Sequence, residues 1–294
     1  MSGVSALDAA LLRAHPLPSL DAVGDKDARG SVLVVAGSVD VPGAALLSAE
    51  GALRAGAGRL RMAAPDSIGR QLGVAMPEAR VYGLPETETG DISPSAREEL
   101  VEIAARADAL LIGPGMVSEP DAADLAGALL KAEGPWTLVL DAAALTGLAG
   151  QVELVRRRAG RTILTPHAGE MATLLDRPRE AVEADPCACA REAAAKLQAV
   201  VAMKGAATHV ASPDGVVWRY PGGGPGLGTS GSGDVLAGVI AGIAARGAAP
   251  AVAAMWGVWL HGEAGARLAK RLGPVGFLAR ELAAEVPGLL AELG

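Results

Sequence analysis

The amino-acid sequence predicts an α/β fold in which a doubly wound, mostly parallel sheet lies between two layers of helices. Runs of strand length alternate with stretches of helical pattern from residue 31 onward. The strand runs are continuously apolar, as in "SVLVVAG" (31–37), which is typical of strands buried on both faces. No long or low-complexity linker interrupts the 294 residues, so we expect a single domain over 1–294.

The strands and their connections follow in a regular order. A helix is expected from Pro42 to Gly56 or Gly58, because proline favours a first helical turn and glycine favours a stop. Two short β-runs within 208–223 flank "PDG" and predict a hairpin. Residues 66–100 predict loops, a weak strand and a solvated helix. The other strands are expected within 31–37, 59–65, 107–115, 136–145, 161–170 and 199–205, and three late helices near 232–246, 250–271 and 276–291.

The composition limits the kinds of partner. The net charge of −7 argues against nucleic acid, because a phosphate backbone needs a basic face. Residues 235–260 are apolar, but Arg246 and Pro250 divide them into segments too short to span a membrane. The N-terminal residues lack the pattern of a signal peptide. Cys187 and Cys189, with no second pair or nearby histidine, predict no zinc site and favour a reducing, cytoplasmic compartment.

Polar residues cluster where the predicted strands end. Asp141, His167 and Lys204 each follow such a strand, and "GPG" at 113–115 follows another. In open α/β sheets, ligands bind at the carboxyl ends of the strands. The sequence therefore predicts a ligand site at this edge of the sheet.

The stretch "GPGLGTSGSGDVLAG" (224–238) predicts an anion site. Its glycines permit positive φ and close approach of a ligand to the backbone, and a helix is predicted to start near 232–234. Backbone N–H groups at a helix N-terminus bind phosphate. An Asp in a first helical turn is commonly a cap, but beside a phosphate it would repel the anion. We therefore interpret Asp234 as a general base for phosphoryl transfer.

This stretch is neither a Walker A loop nor a dinucleotide-binding fingerprint. It resembles the signature of the ribokinase-like superfamily, in which an anion hole of glycines precedes a catalytic Asp. Further blocks, in the same order, are similar to those of the ADP-dependent NAD(P)H-hydrate dehydratases, over about residues 28–290. These blocks are "VVAGSVDVPGAALLSAEGALRAGAG", "LLIGPGM", "LVLDAAAL", "LTPHAGEM", "MKGAATHVASPDG" and "GVWLHGEAGARLA".

The resemblance implies a repair reaction on a nicotinamide cofactor whose ring has taken up water. The family phosphorylates the added hydroxyl from ADP, and loss of phosphate then restores NADH or NADPH with release of AMP. It also implies Mg²⁺, ADP as co-substrate and a homo-oligomer, with a tetramer favoured. We expect no N-terminal epimerase domain of the kind that occurs in bifunctional relatives.

The resemblance also implies roles for residues at matching positions. Asp234 is the catalytic base and contacts the hydrate, and no metal ligand is assigned. The other hydrate contacts are Ala44, the backbone of Gly115, and His167. The residues that surround the nucleotide are Lys204, Gly205, Ala206, Ala207 and Thr208, with Lys204 as the phosphate cation. Gly231 and Ser232 supply N–H groups to the transferred phosphoryl, and Gly233 contacts the AMP portion.

Each of these residues also has a structural interpretation. Lys204 could be a solvated strand end, and His167 a capping or core histidine. Ala44 and Gly115 could serve only packing and a turn. For His261, which follows an apolar run on a late helix, we favour a structural or interface role.

The sequence departs from the family at four places. Ser232 replaces the Thr of T-G-D, which keeps a hydroxyl. The strand-end motif D-A-D-A-L-N is "DAAALT" (141–146), so its second acid and its Asn are absent. "TPHPGE" has become "TPHAGE", and "HGxAGD" has become "HGEAGA". We expect the phosphoryl site to be intact and substrate affinity to be altered.

Two other functions remain open at this point. A small-molecule kinase of the same superfamily, acting on a sugar, hydroxymethylpyrimidine or a thiazole alcohol, would share the glycine stretch and Asp234. A nucleotide-binding regulator without turnover would fit the missing acids. The kinase would leave a stable phosphorylated product, and the regulator would leave none.

Overall fold

The computed structural model describes residues 3–19 and 28–293. The predicted span of 1–294 also includes residues outside these ranges. The strands are β1 Val4–Ala6, β2 Ser31–Val35, β3 Arg59–Pro65, β4 Ala79–Leu84, β5 Ala109–Ile112, β6 Thr137–Leu140, β7 Thr162–Leu164, β8 Val200–Met203, β9 Thr208–Ala211 and β10 Val217–Tyr220. The helices before β7 are α1 Ala9–Ala14, α2 Gly43–Arg54, α3 Asp66–Ala75, α4 Arg97–Ala104, α5 Glu119–Lys131, α6 Ala143–Thr146 and α7 Val152–Arg157. The later helices are α8 Ala168–Leu175, α9 Arg179–Ala184, α10 Pro186–Leu197, α11 Ser232–Ala245, α12 Pro250–Leu272 and α13 Ala279–Leu293.

All the strands belong to one sheet in the order β1-β10-β9-β8-β7-β6-β5-β2-β3-β4. Within the described ranges only β9 runs against its neighbours, pairing antiparallel with β8 and β10. The chain leaves β2 first toward β3 and β4, and then returns on the other side through β5 to β8. The prediction of a doubly wound, mostly parallel sheet is confirmed. The reversal between β2 and β5 creates the crevice where such sheets bind ligands.

Helices cover both faces of the sheet, because the strand side chains alternate between two apolar layers. Val32 and Val34 of β2 face one core, which also contains residues of α2, α11, α12 and α13. Leu33 and Val35 face the other core, which contains residues of α4, α5, α8 and α10. This burial explains why the strands are continuously apolar, because a strand covered on both faces needs apolar residues on each of them.

The structure also differs in detail from the expectations. Strand β1 and helix α1 were not predicted, because β1 is a three-residue exposed edge strand that pairs with β10. Residues 66–100 contain the predicted weak strand β4 together with helix α3 and the start of helix α4, where one solvated helix was predicted. This region is held by Asp91, which is 1% exposed and accepts hydrogen bonds from the N–H groups of Val117 (2.8 Å) and Ser118 (3.2 Å).

Helices α11 and α12 account for the apolar stretch 235–260 as two buried helices joined by a turn, as predicted. None of the helices in residues 3–19 and 28–293 has both the length and the apolar character that crossing a bilayer requires. The cysteines lie on α10, and neither forms a disulfide.

Close packing of α2 against α11 fixes the start of α11. A Cβ added to Gly238 would lie 2.1 Å from the carbonyl oxygen of Ser48, and one on Gly242 would lie 2.3 Å from that of Ala52. The hydroxyl of Ser48 donates to the carbonyl oxygen of Asp234 at 3.1 Å. Only glycine permits this approach, which ties the predicted catalytic turn to α2.

We expect Gly238→Ala to lower the free energy of unfolding by about 1–3 kcal/mol, because the added methyl overpacks the contact between α2 and α11. Urea denaturation monitored by circular dichroism measures the change. Gly150→Ala is the control, since a Cβ at that position meets nothing within 4 Å. Equal stability of the two variants would show that α11 can shift away from α2 without cost.

Candidate active site

The carboxyl ends of β6, β7 and β8 bring predicted site residues together. Lys204 directly follows β8, and its N–H donates to the carbonyl oxygen of Pro166, which follows β7, at 2.8 Å. The Lys204 ammonium reaches the carboxylate of Asp141, after β6, with Nζ 2.8 Å from Oδ1. Two of the strand-end residues singled out from the sequence are therefore an ion pair.

This ion pair is largely shielded from solvent. The side chain of Asp141 is 2% exposed and that of Lys204 20% exposed. Thr165 donates its hydroxyl to Asp141 Oδ1 at 2.6 Å, and Glu170 Oε2 lies 3.8 Å from Lys204 Nζ. Burial alone would lower the pKa of Lys204, but Asp141, Glu170 and Asp234 together raise it. Lys204 is therefore a fixed cation, and not the solvated strand end of the alternative interpretation.

The glycine stretch ends in a helix N-terminus, as predicted. Gly231 precedes α11 with φ +86°, and a Cβ there would lie 2.4 Å from Leu47 Cδ1. The N–H groups of Gly231, Gly233 and Asp234 have no acceptor among the described residues, as is usual for a first turn. A Cβ on Gly233 would lie 3.5 Å from Lys204 Nζ. Free N–H groups and a cation therefore converge on one point, which suits an anion.

Ser232 is held in place by two partners. Its N–H lies 3.2 Å from the carbonyl oxygen of Thr229, so the predicted N–H contact to a phosphoryl requires that bond to be exchanged. Its own carbonyl and hydroxyl oxygens lie 3.0 and 2.9 Å from Nε2 of His261. Because a carbonyl only accepts, Nε2 carries the hydrogen of this imidazole. His261 is thus the structural support of Ser232.

Asp234 has the properties of a general base. It lies half-buried in the first turn of α11. Burial and, to a lesser extent, the negative charge of Asp141 raise its pKa to about 7, while Lys204 acts in the opposite direction. A carboxylate with a pKa near neutrality is a better proton acceptor than an ordinary Asp, and a substantial fraction of it is ionised at physiological pH.

His167 combines the capping interpretation with a largely exposed side chain, whose Nε2 lies 3.4 Å from Glu170 Oε1. It is the N-cap of α8, and its Nδ1 accepts from the N–H groups of Gly169 (2.9 Å) and Glu170 (3.2 Å). The Glu170 carboxylate accepts from the His167 N–H at 2.7 Å, which completes a capping box. Nδ1 therefore cannot carry hydrogen, and Nε2–H is the donor on a side chain that is 58% exposed.

Ala44 and Gly115 lie side by side where the strand order reverses. Gly115 has φ +67°, and a Cβ there would lie 2.6 Å from Ala44 Cβ and 2.7 Å from the carbonyl oxygen of Val41. Ala44 is one helical turn before Ser48, which bonds to Asp234. The turn of Gly115 and the face of Ala44 therefore adjoin the predicted base. Their contact with the hydrate stays a prediction.

A cavity of about 790 Å³ opens beside this group of residues. It is lined by most of the predicted nucleotide residues together with His167, His261 and the loop after β10. The predicted nucleotide residues on its wall are Lys204, Gly205, Ala206, Thr208, Ser232 and Gly233. Ala207 and Gly231 are not on that wall. A second cavity of about 290 Å³ shares His167 and contains Met116, next to Gly115.

Comparisons with known proteins identify the family of this chain. The family model of the NAD(P)H-hydrate dehydratases matches residues 32–288. The chain belongs to this family. It is 50% identical over 291 residues to the ADP-dependent (S)-NAD(P)H-hydrate dehydratase of Xanthomonas campestris pv. campestris, covering 99% of this chain and 97% of the relative.

Solved structures show the same fold. An ADP/ATP-dependent NAD(P)H-hydrate dehydratase from Bacillus subtilis, co-crystallised with ATP and Mg²⁺, superposes with a TM-score of 0.83 at 29% identity, over 99% of both chains. A ribokinase-like superfamily protein from Enterococcus faecalis superposes with a TM-score of 0.82 at 24% identity, over 100% of this chain and 98% of that one. The predicted ribokinase-like fold and the predicted family are confirmed.

The family departures fall at different distances from the site. Ala143, where the motif has its second acid, lines the smaller cavity. Thr146, in place of Asn, also lines it and donates its hydroxyl to the Ala143 carbonyl at 2.8 Å. Ala266, in place of the acid of "HGxAGD", is exposed and lines neither cavity. Of these three positions, Ala143 and Thr146 line the smaller cavity and none lines the larger one, so that the intact phosphoryl site stays a prediction.

Sequence reasoning missed the role of Glu170, and it gave His261 a structural or interface role without identifying Ser232 as its partner. The signal for Glu170 was present, since His167 and Glu170 have the three-residue spacing of a capping box before an apolar run. His261 has no comparable signal, because it meets Ser232 only through the packing of α12 on α11.

The described residues contain no group of three or more His, Cys, Asp or Glu that could hold a metal ion. Asp141 and Glu170 are both engaged with Lys204. These residues fit Mg²⁺ only as an ion that the nucleotide phosphates carry, which is the common arrangement for that metal.

We expect His261→Phe to raise the KM for nucleotide and to lower the free energy of unfolding by about 1–3 kcal/mol, because Ser232 loses its buried donor. Burial lowers the pKa of His261 to about 4, so the residue is neutral above pH 5. The pH at which activity rises should therefore be the same in the variant and the wild type. Steady-state kinetics between pH 5 and 9 measure the KM and the pH profile, and urea denaturation measures the free energy of unfolding. His15→Phe is the control. A shifted pH profile would show that His261 titrates during turnover.

Proposed function

We propose that this chain dehydrates the S-form of NADH or NADPH hydrate at the expense of ADP, releasing NAD(P)H, AMP and phosphate. The observation that carries the proposal is the placement of Asp234, with a pKa raised to about 7, at a helix N-terminus beside Lys204. A base, free N–H donors and a fixed cation are what phosphoryl transfer to a hydroxyl needs.

The first step forms a bond between the hydrate's hydroxyl oxygen and the β-phosphorus of ADP. Asp234 takes the hydroxyl proton as that bond forms, and the bond from the β-phosphorus to the bridging oxygen breaks, leaving AMP. Lys204 and the N–H groups at the start of α11 stabilise the charge on the phosphoryl oxygens. Mg²⁺, bound to the nucleotide phosphates, would supply further positive charge at that point.

The second step breaks the bond between the ring carbon and the phosphorylated oxygen. The electron pair of that bond leaves with phosphate, and loss of a proton from the neighbouring ring carbon restores the double bond of the reduced nicotinamide. Phosphate is a far better leaving group than hydroxide, which explains why a kinase fold serves a dehydratase. The chain's contribution is to orient the ring against Ala44, Gly115 and His167.

The nucleotide is proposed to occupy the larger cavity, with its phosphates toward Lys204 and Gly233. Gly205 to Thr208 form the wall around the base and ribose. Because the free N–H groups at the start of α11 would bind the transferred phosphoryl, the hydrate would approach that phosphoryl from the side of Ala44. His167, which lines both cavities, would then donate Nε2–H to the hydrate.

The test is to incubate the chain with (S)-NADH hydrate, Mg²⁺ and either ADP or ATP and to follow the absorbance of reduced nicotinamide. We expect NADH, AMP and phosphate in equal amounts with ADP. A stable phosphorylated product without NADH would instead identify a small-molecule kinase. No turnover of the hydrate with either nucleotide would contradict the proposal and favour a regulator.

We also propose a cytoplasmic homo-oligomer, with a tetramer favoured, on the basis of the family resemblance. Light scattering coupled to size-exclusion chromatography gives the molar mass directly, against 29.3 kDa for one chain. A mass of a single chain would contradict this part of the proposal.

A further inference from the structure

The edge of the sheet opposite the candidate active site carries a concentration of positive charge. A cavity of about 670 Å³ lies where α5 leads into β6 and α7 leads into β7. Its lining includes four basic side chains and a single acidic one, although the chain as a whole has a net charge of −7. The basic residues are Lys131, Arg157, Arg158 and Arg161, and the acid is Glu133.

These cations have few carboxylate partners within the described part of the chain. Arg157 lies 3.7 Å from Glu153 in an exposed pair. Lys131, Arg158 and Arg161 have no carboxylate within ion-pair distance there. Lys131 and Arg157 are exposed and Arg161 is half-buried, so Arg158 is the member of the group whose charge is taken out of water. A charge in that position normally has a charged partner.

Arg158 is the most unusual of the group, because its side chain is buried. The residue is 3% exposed, and its guanidinium donates to the carbonyl oxygens of Ala132 (3.1 Å) and Trp136 (2.6 Å). Its Nε has no acceptor within residues 3–19 and 28–293. Burial and, to a lesser extent, the neighbouring Arg161 lower the pKa of Arg158 to about 10.

A second buried donor adjoins Arg158. The guanidinium carbon of Arg158 lies 5.2 Å from the ring centroid of Trp136, which is not itself on the cavity wall. The indole Nε1 of Trp136 also lacks an acceptor among the described residues. Arg161 holds the loop between them through Gly134, whose carbonyl oxygen accepts from Nη1 at 2.8 Å. The described residues that line the cavity therefore carry four cationic side chains against the single carboxylate of Glu133.

We propose that this cavity is a second binding site, distinct from the candidate active site, for a small phosphate-bearing anion. Phosphate fits better than a carboxylate, because its several oxygens and multiple negative charge match a group of guanidinium and ammonium donors. The cavity's volume lies in the range of small-molecule sites and exceeds what a lone phosphate fills. The ligand is thus an inorganic polyphosphate or a phosphorylated small molecule.

The site shares two strands with the candidate active site. Trp136 and Arg161 directly precede β6 and β7, and Asp141 and Thr165 directly follow the same strands. The two sites therefore lie at opposite ends of strands only four and three residues long. An anion bound here would be separate from the nucleotide and could be measured beside it.

The experiment saturates the larger cavity with α,β-methylene-ADP and then titrates inorganic pyrophosphate by isothermal calorimetry. We expect about one further equivalent to bind to the wild type. The double variant Lys131→Gln/Arg161→Gln should bind it at least tenfold more weakly. The control Arg54→Gln/Arg97→Gln, which removes two cations of exposed ion pairs elsewhere, should bind as the wild type does.

A second measurement locates the site and does not depend on a buried substitution. The Nε–H resonance of Arg158 should move on addition of pyrophosphate, and circular dichroism should show that the double variant is folded. Ribose 5-phosphate in place of pyrophosphate separates the two sources: tighter binding identifies a phosphorylated organic ligand, and weaker binding an inorganic one. No binding to the wild type, or equal binding to wild type and double variant, would overturn the proposal.

Discussion

Asp234→Asn should lower kcat by roughly 10²–10⁴ while leaving the affinity for nucleotide unchanged or higher, because the base is lost but the anion site is not. Removal of a negative charge beside the phosphates can only help nucleotide binding. Single-turnover kinetics with the hydrate and calorimetry with the nucleotide measure the two effects separately. Asp121→Asn, a substitution in the first turn of α5, is the matched control.

The pH dependence gives this prediction a sharper form. Asp234 accepts a proton only when ionised, and its pKa is raised to about 7, so activity should rise with pH through that value. Asp141→Asn removes a like charge that raises this pKa, and the rise should therefore move to lower pH. The rise should vanish in Asp234→Asn. A pH profile that is unchanged in both variants would mean that another group titrates.

Lys204→Met should lower the free energy of unfolding by about 3–5 kcal/mol, because it leaves the buried carboxylate of Asp141 without its partner. It should also abolish turnover, since the phosphoryl loses its cation and the pKa of Asp234 rises further above 7. Urea denaturation and activity assays measure the two losses.

A double variant separates stability from catalysis. Lys204→Met/Asp141→Asn removes both charges and should regain much of the lost stability, but none of the activity. Arg97→Met, which breaks an exposed ion pair with Asp124, should change stability by no more than about 1 kcal/mol. If Lys204→Met were as stable as Arg97→Met, the ion pair would be of little energetic importance.

Much of the candidate site could be predicted from the sequence. Asp141, His167 and Lys204 were found because parallel strands place their carboxyl ends at one edge, which the order of apolar runs already indicated. Gly231, Gly233 and Asp234 were found because glycines before a helical pattern mark an anion site. These inferences depend on local pattern and on topology, which the sequence carries directly.

The remaining features depend on contacts between distant residues. His261 supports Ser232 across 29 positions, and Asp91 caps a loop 26 residues away. The buried N–H donors of Arg158 and Trp136 come close together only when α7 packs beside the loop before β6. Ala142 has φ +48° directly after Asp141, a conformation that a non-glycine residue rarely adopts. No periodicity or sequence motif predicts these contacts or this backbone conformation.

The path of the hydroxyl oxygen tests the central claim most directly. The hydrate would be prepared with ¹⁸O in its added hydroxyl and turned over with unlabelled ADP, and the released phosphate analysed by mass spectrometry. If Asp234 deprotonates that hydroxyl for attack on the phosphoryl, each phosphate carries one ¹⁸O atom. Unlabelled phosphate, with the ¹⁸O found in water, would show that the hydroxyl leaves without being phosphorylated and would contradict the account.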